Sequence, residues 1–478
     1  MAADFLARTA QAQPDAPALD DGVRDWSYRE LEQRVSAAAY RLQGVVATGS
    51  TVALISETTG SAVVAAHAAL AAGVVLAPLN PRSTRDELRR TLEVLKPGLV
   101  LAAPETWELA SSAGALPVSL TALDGDGEEA LTRRARVQAG GPDLPAQTQV
   151  LMWTSGTGGS SRGIALTGTN LQAGISASAA RLALGPTDRW LATLGLAHVG
   201  GLMLMLRAAA TGALLVTRGR FRPDEATALV DAGALTHASL VPTMLRQLLS
   251  LRADRPAPSL RCLLVGGAHC PPTLVERAVS ASIPLALTYG MTEATSQVAT
   301  APPALVRRKA GTVGLPLEGV EVRLDEGGEV MLRGPTVAAG YVGTEFPLQG
   351  PGGWLRTGDL AETDEEGHLW ITGRCSDRIV TGGVNVDPVE VEDVLRCHAR
   401  VSDAVVVGLP DDCWGEVVAA AVVCVGGASP SSGELEGLTE AHLTKAKVPR
   451  RWLFLRELPR NANGKVDRDA VCHGFGAA

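Results

Sequence analysis

Short apolar segments that alternate with helical segments are the feature that most limits how this chain can fold. Residues 51–55, 98–102 and 263–267 are such segments, and Ala-, Leu- and Arg-rich stretches with helical spacing separate them. A strand with one face in water alternates polar and apolar residues, whereas a strand covered by helices on both faces is apolar throughout. The pattern therefore predicts parallel sheets in α/β lobes.

The pattern changes from about Gly311 onward. Residues 320–324, 329–333 and 368–372 alternate polar and apolar side chains between Gly-rich turns, which indicates a small antiparallel β-barrel or sheet. After Arg374 the chain continues with a Gly-Gly loop, an acidic helix start at Pro388 and further strands. We expect a large N-terminal domain (1–373) with two parallel-sheet lobes and a β-barrel, a hinge (374–377) and a small mobile α+β domain (378–478).

Composition and charge exclude some classes of function. The chain has 478 residues, a net charge of 43 − 51 = −8 and 4% aromatic residues. This disfavours nucleic-acid binding, which needs a basic surface or a stacking platform. Seven scattered cysteines without a Cys-x-x-Cys motif, no visible signal peptide and no membrane span predict a cytoplasmic protein.

A loop rich in glycine and hydroxyl groups follows the apolar segment 150–154. Residues 154–163 read Thr-Ser-Gly-Thr-Gly-Gly-Ser-Ser-Arg-Gly. Glycines let backbone amides turn toward an anion, while hydroxyl and guanidinium groups add donors and charge. The spacing is neither that of a Walker A loop nor Gly-x-Gly-x-x-Gly. A flexible linker is the alternative, but the position directly after a strand favours a phosphate-binding loop.

This loop resembles the Thr-Ser-Gly-Thr-Thr-Gly-x-Pro-Lys-Gly loop of the adenylate-forming superfamily, which includes acyl-CoA synthetases, luciferases and peptide-synthetase adenylation domains. Further signatures occur in the order of that family, and the match spans nearly the whole chain. They are Leu196-Ala-His-Val-Gly-Gly, Gly266-Gly-Ala, Tyr289-Gly-Met-Thr-Glu, Gly328-Glu, Trp354-Leu-Arg-Thr-Gly-Asp-Leu, Gly373-Arg-Cys-Ser-Asp-Arg, Gly382-Gly and Leu458-Pro-Arg-Asn-Ala-Asn-Gly-Lys. The resemblance implies ATP, Mg²⁺ and coenzyme A as cofactor and co-substrates, and an acyl-adenylate intermediate.

The resemblance also implies roles for individual residues. Lys465 would bridge the substrate carboxylate and the α-phosphate, His198 would line the acyl pocket, and Glu293 would hold Mg²⁺. The nucleotide and coenzyme A would be bound by Thr154, Ser155, Gly156, Thr157, Gly158, Gly159, Arg162, Gly267, Ala268, Tyr289, Gly290, Thr292, Asp359, Arg374, Gly382 and Gly383. The alternative for Lys465 is an ordinary surface lysine. Only five lysines occur among 43 basic residues, which favours a specific role for one that follows Asn-Ala-Asn-Gly.

The resemblance also implies a domain movement during the reaction. Rotation at Ser376 and Asp377 would withdraw Lys465 and bring the Gly382-Gly383 loop to the acyl group for thioester formation.

The phosphate loop departs from the family at Gly158, Ser161 and Arg162, where Thr, Pro and Lys are usual. Arginine keeps the charge but changes the donor geometry, so we expect weaker or altered ATP binding rather than loss of activity.

The substrate is suggested by a closer resemblance, to the o-succinylbenzoate–CoA ligases of menaquinone biosynthesis. It is carried by residues 188–198, 259–267, 289–297 and 374–385. Another acyl- or aryl-CoA ligase, an enzyme that loads a carrier protein, and a degenerate nucleotide-binding protein without turnover stay open as alternatives. The expected partners are a small carboxylate, ATP and CoA. No surface pattern isolates a subunit interface, and a homodimer stays open.

Overall fold

The computed structural model describes residues 4–124, 142–154, 162–252, 255, 257–342, 348–425, 429–461 and 464–477. The helices in these ranges are α1 Asp4–Ala12, α2 Tyr28–Val45, α3 Gly60–Ala71, α4 Arg85–Leu95, α5 Trp107–Ser112, α6 Gly168–Leu182, α7 Val199–Thr211, α8 Pro223–Asp231, α9 Pro242–Arg252, α10 Pro272–Ser280, α11 Pro303–Arg308, α12 Pro388–Arg396, α13 Ser432–His442 and α14 Arg468–Ala477. The strands are β1 Pro17–Asp20, β2 Asp25–Ser27, β3 Thr51–Ile55, β4 Val75–Leu79, β5 Leu99–Ala102, β6 Val118–Ser119, β7 Thr148–Thr154, β8 Arg162–Thr167, β9 Arg189–Ala192, β10 Leu214–Thr217, β11 His237–Leu240, β12 Cys262–Val265, β13 Leu285–Met291, β14 Ser296–Ala301, β15 Glu321–Leu324, β16 Glu329–Arg333, β17 Gly340–Val342, β18 Leu355–Thr363, β19 Leu369–Arg374, β20 Ile379–Thr381, β21 Val384–Val386, β22 Val401–Asp411, β23 Gly415–Cys424 and β24 Arg451–Leu455.

Two sheets form the α/β lobes that the apolar segments predict. The first has the order β17-β8-β7-β4-β3-β5-β6, in which β3 to β7 run parallel and β8 and β17 are antiparallel additions. The second has the order β14-β13-β12-β11-β9-β10-β1-β2, parallel from β13 to β1. Every residue of β3, β4, β5, β11 and β12 is buried, as expected for strands covered on both faces.

The remaining strands form two smaller sheets. Strands β15, β16, β18 and β19 form the antiparallel sheet predicted after Gly311, and its closure into a barrel stays a prediction. The C-terminal sheet has the order β21-β20-β23-β22, with β24 parallel to β23. Two hydrophobic cores here consist only of residues from 379 onward. We call residues 378–478 the lid below; this boundary and the hinge at 374–377 stay predictions.

None of the helices in the described ranges is long and apolar enough to cross a membrane. The apolar segment 62–79, which the sequence predicts to be a helix running into a buried strand, consists of most of α3 followed by β4. The seven cysteines are all free.

Two buried histidines make the stability of the fold depend on pH. Burial lowers the pKa of His67, in α3, and of His237, in β11, to about 4 each. The ordinary value in an unfolded chain is about 6.5, so below that pH the unfolded state binds protons that the folded state does not. Each histidine therefore contributes stability that is complete above pH about 6.5 and is lost toward pH about 4, at most about 3 kcal/mol per residue.

We expect the urea concentration at the midpoint of unfolding to decrease as the pH is lowered from 7 to 4.5. The decrease should be smaller in the variant His67→Leu. His442, which is exposed at the end of α13, offers the matched control His442→Gln. Equal pH dependence of the His67→Leu variant and the unaltered chain would contradict this account.

Candidate active site

Asp359 is the centre of a hydrogen-bonded group that joins two sheets. Its side chain is buried, and Oδ2 accepts a hydrogen bond from Tyr289 Oη at 2.7 Å. Oδ1 lies 2.8 Å from Arg374 Nε, because the register of β18 and β19 places the two residues opposite each other. Each carboxylate oxygen keeps a further lone pair, so Asp359 can still accept hydrogen bonds from a diol.

The protonation states of this group are set by burial and by mutual charge. Burial, followed by the charge of Asp359, raises the pKa of Tyr289, so its hydroxyl stays a donor. Burial alone would lower the pKa of Arg374, but Asp359 and Asp377 raise it, and the net shift is upward. Arg374 is therefore cationic throughout the physiological range.

Lys465 reaches this group from the lid. Its turn is held by hydrogen bonds from Asn461 N to Lys465 O at 2.8 Å and from Lys465 N to Asn461 Oδ1 at 3.1 Å. Desolvation lowers the pKa of Lys465, Arg374 lowers it further, and Asp359 and Glu293 raise it. Lys465 is exposed in the structure, and the charges that act on it are those of groups predicted to hold the nucleotide and Mg²⁺.

His198 lies close to Lys465. It precedes the first residue of α7, after the carboxyl end of β9. Burial lowers its pKa, and the cations Lys465 and Arg82 lower it further, so the imidazole is neutral at pH 7. His198 and Lys465, which are 267 residues apart in the sequence, are thus near enough for the charge of the lysine to act on the histidine.

The predicted nucleotide-binding segments lie at the carboxyl ends of two neighbouring strands. Gly267 and Ala268 are in the loop that begins after Val265, the last residue of β12, and Gly290 lies near the end of β13. A Cβ atom on Gly290 would lie 1.7 Å from the carbonyl oxygen of Ser296, so only glycine fits there. The carboxyl ends of adjacent parallel strands are the usual position of a ligand in such sheets.

Thr292 and Glu293 belong to the short 3-10 turn Thr292–Ala294 that follows β13. The Glu293 carboxylate accepts a hydrogen bond from Tyr341 Oη at 3.3 Å, and Ala338 N donates to Glu293 O at 2.8 Å. No ion pair engages Glu293 within the described ranges. A carboxylate without a cationic partner suits Mg²⁺, which binds through one or two carboxylates together with substrate phosphates.

Tyr341 is a site residue that the sequence analysis missed. It lies in β17 opposite Ile164 of β8, and the Arg162 guanidinium carbon is 5.4 Å from the centroid of its ring. One side chain thus contacts both the arginine at the exit of the phosphate loop and Glu293. Little in the sequence indicates such a role, since Tyr341 is one of four tyrosines and lies in none of the family motifs.

The phosphate loop itself connects two antiparallel strands. Thr154 ends β7 and Arg162 begins β8, and the two residues pair across the hairpin. The predicted residues Ser155, Gly156, Thr157, Gly158 and Gly159 lie outside the described residues. The structure therefore places the Arg162 end of the loop beside Tyr341, which lies in the edge strand β17, and Thr154 across the hairpin from Arg162.

Gly382 and Gly383 form the turn between β20 and β21. Gly382 N donates to Trp414 O at 2.9 Å, and both glycines have positive φ angles, +56° and +81°. Their contacts are therefore within the lid, and their predicted approach to the acyl group after a rotation stays a prediction.

Comparison with known proteins identifies the family. Residues 6–342 match the AMP-binding enzyme family, and residues 390–465 match the AMP-binding enzyme C-terminal domain. The chain belongs to the AMP-binding enzyme family. The predicted resemblance is thereby confirmed, and the similarity to individual members extends over the whole length.

The chain is 35% identical over 479 residues to the 2-succinylbenzoate–CoA ligase of Bacillus pumilus (strain SAFR-032), covering 97% of this chain and 96% of that protein. The structure is similar to o-succinylbenzoate CoA synthetase from Bacillus subtilis in complex with the acyl-adenylate intermediate, with a TM-score of 0.86 and 31% identity. It is similar to the same enzyme in complex with ATP and magnesium ion, with a TM-score of 0.84 and 31% identity. The two alignments each cover 98% of this chain, and 97% and 98% of the other chain.

We expect the variant Tyr341→Phe to raise KM for MgATP about 5- to 10-fold, with a smaller change in kcat. The variant loses one hydrogen bond to a charged group, which contributes about 1.5 kcal/mol. Titration of activity with Mg²⁺ at fixed ATP measures the effect. Tyr40, which is 79% exposed, offers the matched control Tyr40→Phe. An unchanged Mg²⁺ dependence of the Tyr341→Phe variant would show that the contact does not orient Glu293.

Proposed function

We propose that this protein is an AMP-forming acid–thiol ligase that converts o-succinylbenzoate, ATP and CoA into o-succinylbenzoyl-CoA for menaquinone biosynthesis. The observation that carries the proposal is that Lys465 lies near enough to Asp359, Arg374 and Glu293 for their charges to shift its pKa, while Asp359 is itself bonded to Tyr289 and Arg374. Similarity over the whole chain to ligases of this substrate supports the choice of carboxylate.

In the adenylation half-reaction two anions must approach each other. A carboxylate oxygen of the substrate forms a bond to the α-phosphorus, and the bond to pyrophosphate breaks. Asp359 and Arg374 hold the ribose, while Lys465 places a positive charge between the carboxylate and the α-phosphate. Mg²⁺ held by Glu293 would neutralise charge on the triphosphate. His198, being neutral, borders the acyl group without adding charge.

In the thioester half-reaction the CoA sulfur attacks the acyl carbonyl carbon, and the bond to the AMP oxygen breaks. We propose that the lid rotates about residues 374–377 between the two steps, exchanging Lys465 for the Gly382-Gly383 loop. The separate cores of the lid support movement as a unit, since rotation would not require a shared core to be opened.

A buried arginine supports a substrate with a second carboxylate. Arg207, in α7, is 2% exposed, and it donates hydrogen bonds only to neutral groups: Met203 O, Ser178 Oγ and Gln297 Oε1. No acidic side chain pairs with it in the described ranges. Gln297 continues the network to Thr288, which precedes Tyr289 in β13. We propose that this cation attracts the ring carboxylate of o-succinylbenzoate.

The proposal is tested by two assays on the purified enzyme. We expect ATP–pyrophosphate exchange that depends on o-succinylbenzoate, followed by thioester formation with CoA. Exchange without transfer to CoA would favour the carrier-protein alternative, and exchange with other carboxylates only would favour a different CoA ligase. Absence of exchange with every carboxylate tested would favour the degenerate nucleotide-binding protein. The cytoplasmic location and the homodimer remain predictions.

A further inference from the structure

One hydrogen-bonded pair of side chains joins the large domain directly to the lid beside the candidate site. His269 follows the predicted adenine-binding residue Ala268, and its Nε2 lies 2.9 Å from Oδ2 and 3.0 Å from Oδ1 of Asp393 in α12. The two side chains are partly buried, 32% and 21% exposed. The two side chains therefore make a direct and partly buried polar contact between the large domain and the lid.

Within the lid, Asp393 starts a chain of charged contacts that ends at the turn of Lys465. Asp393 Oδ1 accepts from Arg396 Nη1 at 3.1 Å, and Arg396 Nε donates to Asp403 Oδ1 at 3.3 Å. Asp403 Oδ2 accepts from Arg460 Nη2 at 3.1 Å, and Arg460 Nη1 donates to Gly464 O at 3.0 Å. Gly464 is the residue before Lys465. We call Asp393, Arg396, Asp403 and Arg460 the lid ion-pair chain.

A second contact supports the same docking position. Arg246, in α9 of the large domain, donates from Nη1 to Ser402 O at 2.8 Å. Ser402 is adjacent to Asp403, so the large domain contacts the lid at two positions along the lid ion-pair chain, at Asp393 and next to Asp403. One end of the lid ion-pair chain, Asp393, is therefore bonded to the large domain through His269. Its other end, Arg460, is bonded to the backbone of the turn that carries Lys465.

We propose that His269 and Asp393 act as a latch that holds the lid in the adenylation position and, through the lid ion-pair chain, positions Lys465. The inference rests on the proposed function and adds positioning residues to it. Lys465 must enter the cleft for the first half-reaction and leave it for the second. A contact that exists only in the docked position therefore favours the first step and has to break before the second.

The test measures the two half-reactions separately in three single variants and one double variant. We expect His269→Ala to slow ATP–pyrophosphate exchange about 5- to 20-fold, the range of an ordinary coupling between two states, and not to slow thioester formation from preformed acyl-adenylate. His269→Gln, whose amide nitrogen can replace the imidazole donor, should recover most of the exchange rate. Asp393→Ala should behave like His269→Ala, and the double variant should lose little more than either single variant.

Glu390 supplies the matched control, because it lies on the same helix and, among the described residues, its carboxylate pairs only with Lys447 of the lid, at 2.5 Å. Glu390→Gln should leave both half-reactions unchanged. A loss in His269→Ala that is equal in both half-reactions, or no loss in either, would overturn the latch.

Amide hydrogen exchange tests the latch independently of which carboxylate is the substrate. In the presence of MgATP alone, amide hydrogen exchange in α12 and β22 should be faster in His269→Ala than in the unaltered enzyme. Unchanged hydrogen exchange in α12 and β22 would count against the latch. If His269→Ala showed faster hydrogen exchange but the unaltered enzyme failed to activate o-succinylbenzoate, the latch would be upheld and the proposed substrate rejected.

Discussion

Replacing Lys465 by alanine is expected to slow adenylation about 10²- to 10³-fold while leaving thioester formation from preformed acyl-adenylate nearly unchanged. Removing one preorganised charge that stabilises a developing anion costs this much in other enzymes. The effect should be confined to one half-reaction because the proposed rotation withdraws Lys465 from Asp359, Arg374 and Glu293 before the thioester forms. ATP–pyrophosphate exchange and a single-turnover thioester assay measure the two steps separately.

The pH dependence of adenylation gives an independent check on Lys465. Desolvation and Arg374 lower its pKa below the ordinary lysine value, so the ammonium is lost earlier as the pH rises. Exchange should therefore decline on the alkaline side, and Lys465→Arg should remove that decline even though its different geometry lowers the rate. Lys445→Ala changes another lid lysine, and both half-reactions should be unaffected. Equal loss in both half-reactions of Lys465→Ala would refute the assigned role.

Replacing Arg207 by methionine is expected to lower kcat/KM for o-succinylbenzoate about 100-fold. A carboxylate about 6 Å from a buried guanidinium gains about 3 kcal/mol at an effective dielectric constant of about 20. The analogue 4-oxo-4-phenylbutanoate, which lacks the ring carboxylate, should be affected much less. The ratio of the two kcat/KM values therefore reports the interaction and is insensitive to a general loss of folded enzyme.

Arg181 is a suitable control for Arg207, since its guanidinium also donates only to neutral groups, the carbonyl oxygens of residues 300, 315 and 316. Arg181→Met should change the rates with the two substrates by the same factor. If Arg207→Met did so too, Arg207 would be a structural residue, and the second carboxylate would be recognised elsewhere.

Much of the fold could be read from local sequence patterns. Segments 51–55 and 263–267 are predicted to be buried strands from their length and continuous apolar character; β3 coincides with the first, whereas β12 ends at Val265 and leaves Gly266 and Gly267 in the following loop. The same holds for the antiparallel strands after Gly311, where polar and apolar residues alternate. These properties depend on neighbours within a few residues, which is why the sequence alone is sufficient for them.

Contacts between distant segments could not be obtained in this way. Tyr341 meets Arg162 and Glu293 only because β17 pairs with the edge of the first sheet, and nothing in its own neighbourhood indicates that pairing. Likewise, Arg207 is recognisable as a cation without an acidic partner only after α7 is packed against its neighbours.

The sequence by itself determined the family, the α/β architecture and the types of chemical group that the site contains. Only the tertiary structure decided which of those groups meet, that the lid is docked with Lys465 in the cleft, and that His269 is paired with Asp393 across the two domains. The physical reason is that motif chemistry is encoded in adjacent residues, whereas charge pairing and desolvation depend on distances that the folded chain alone sets.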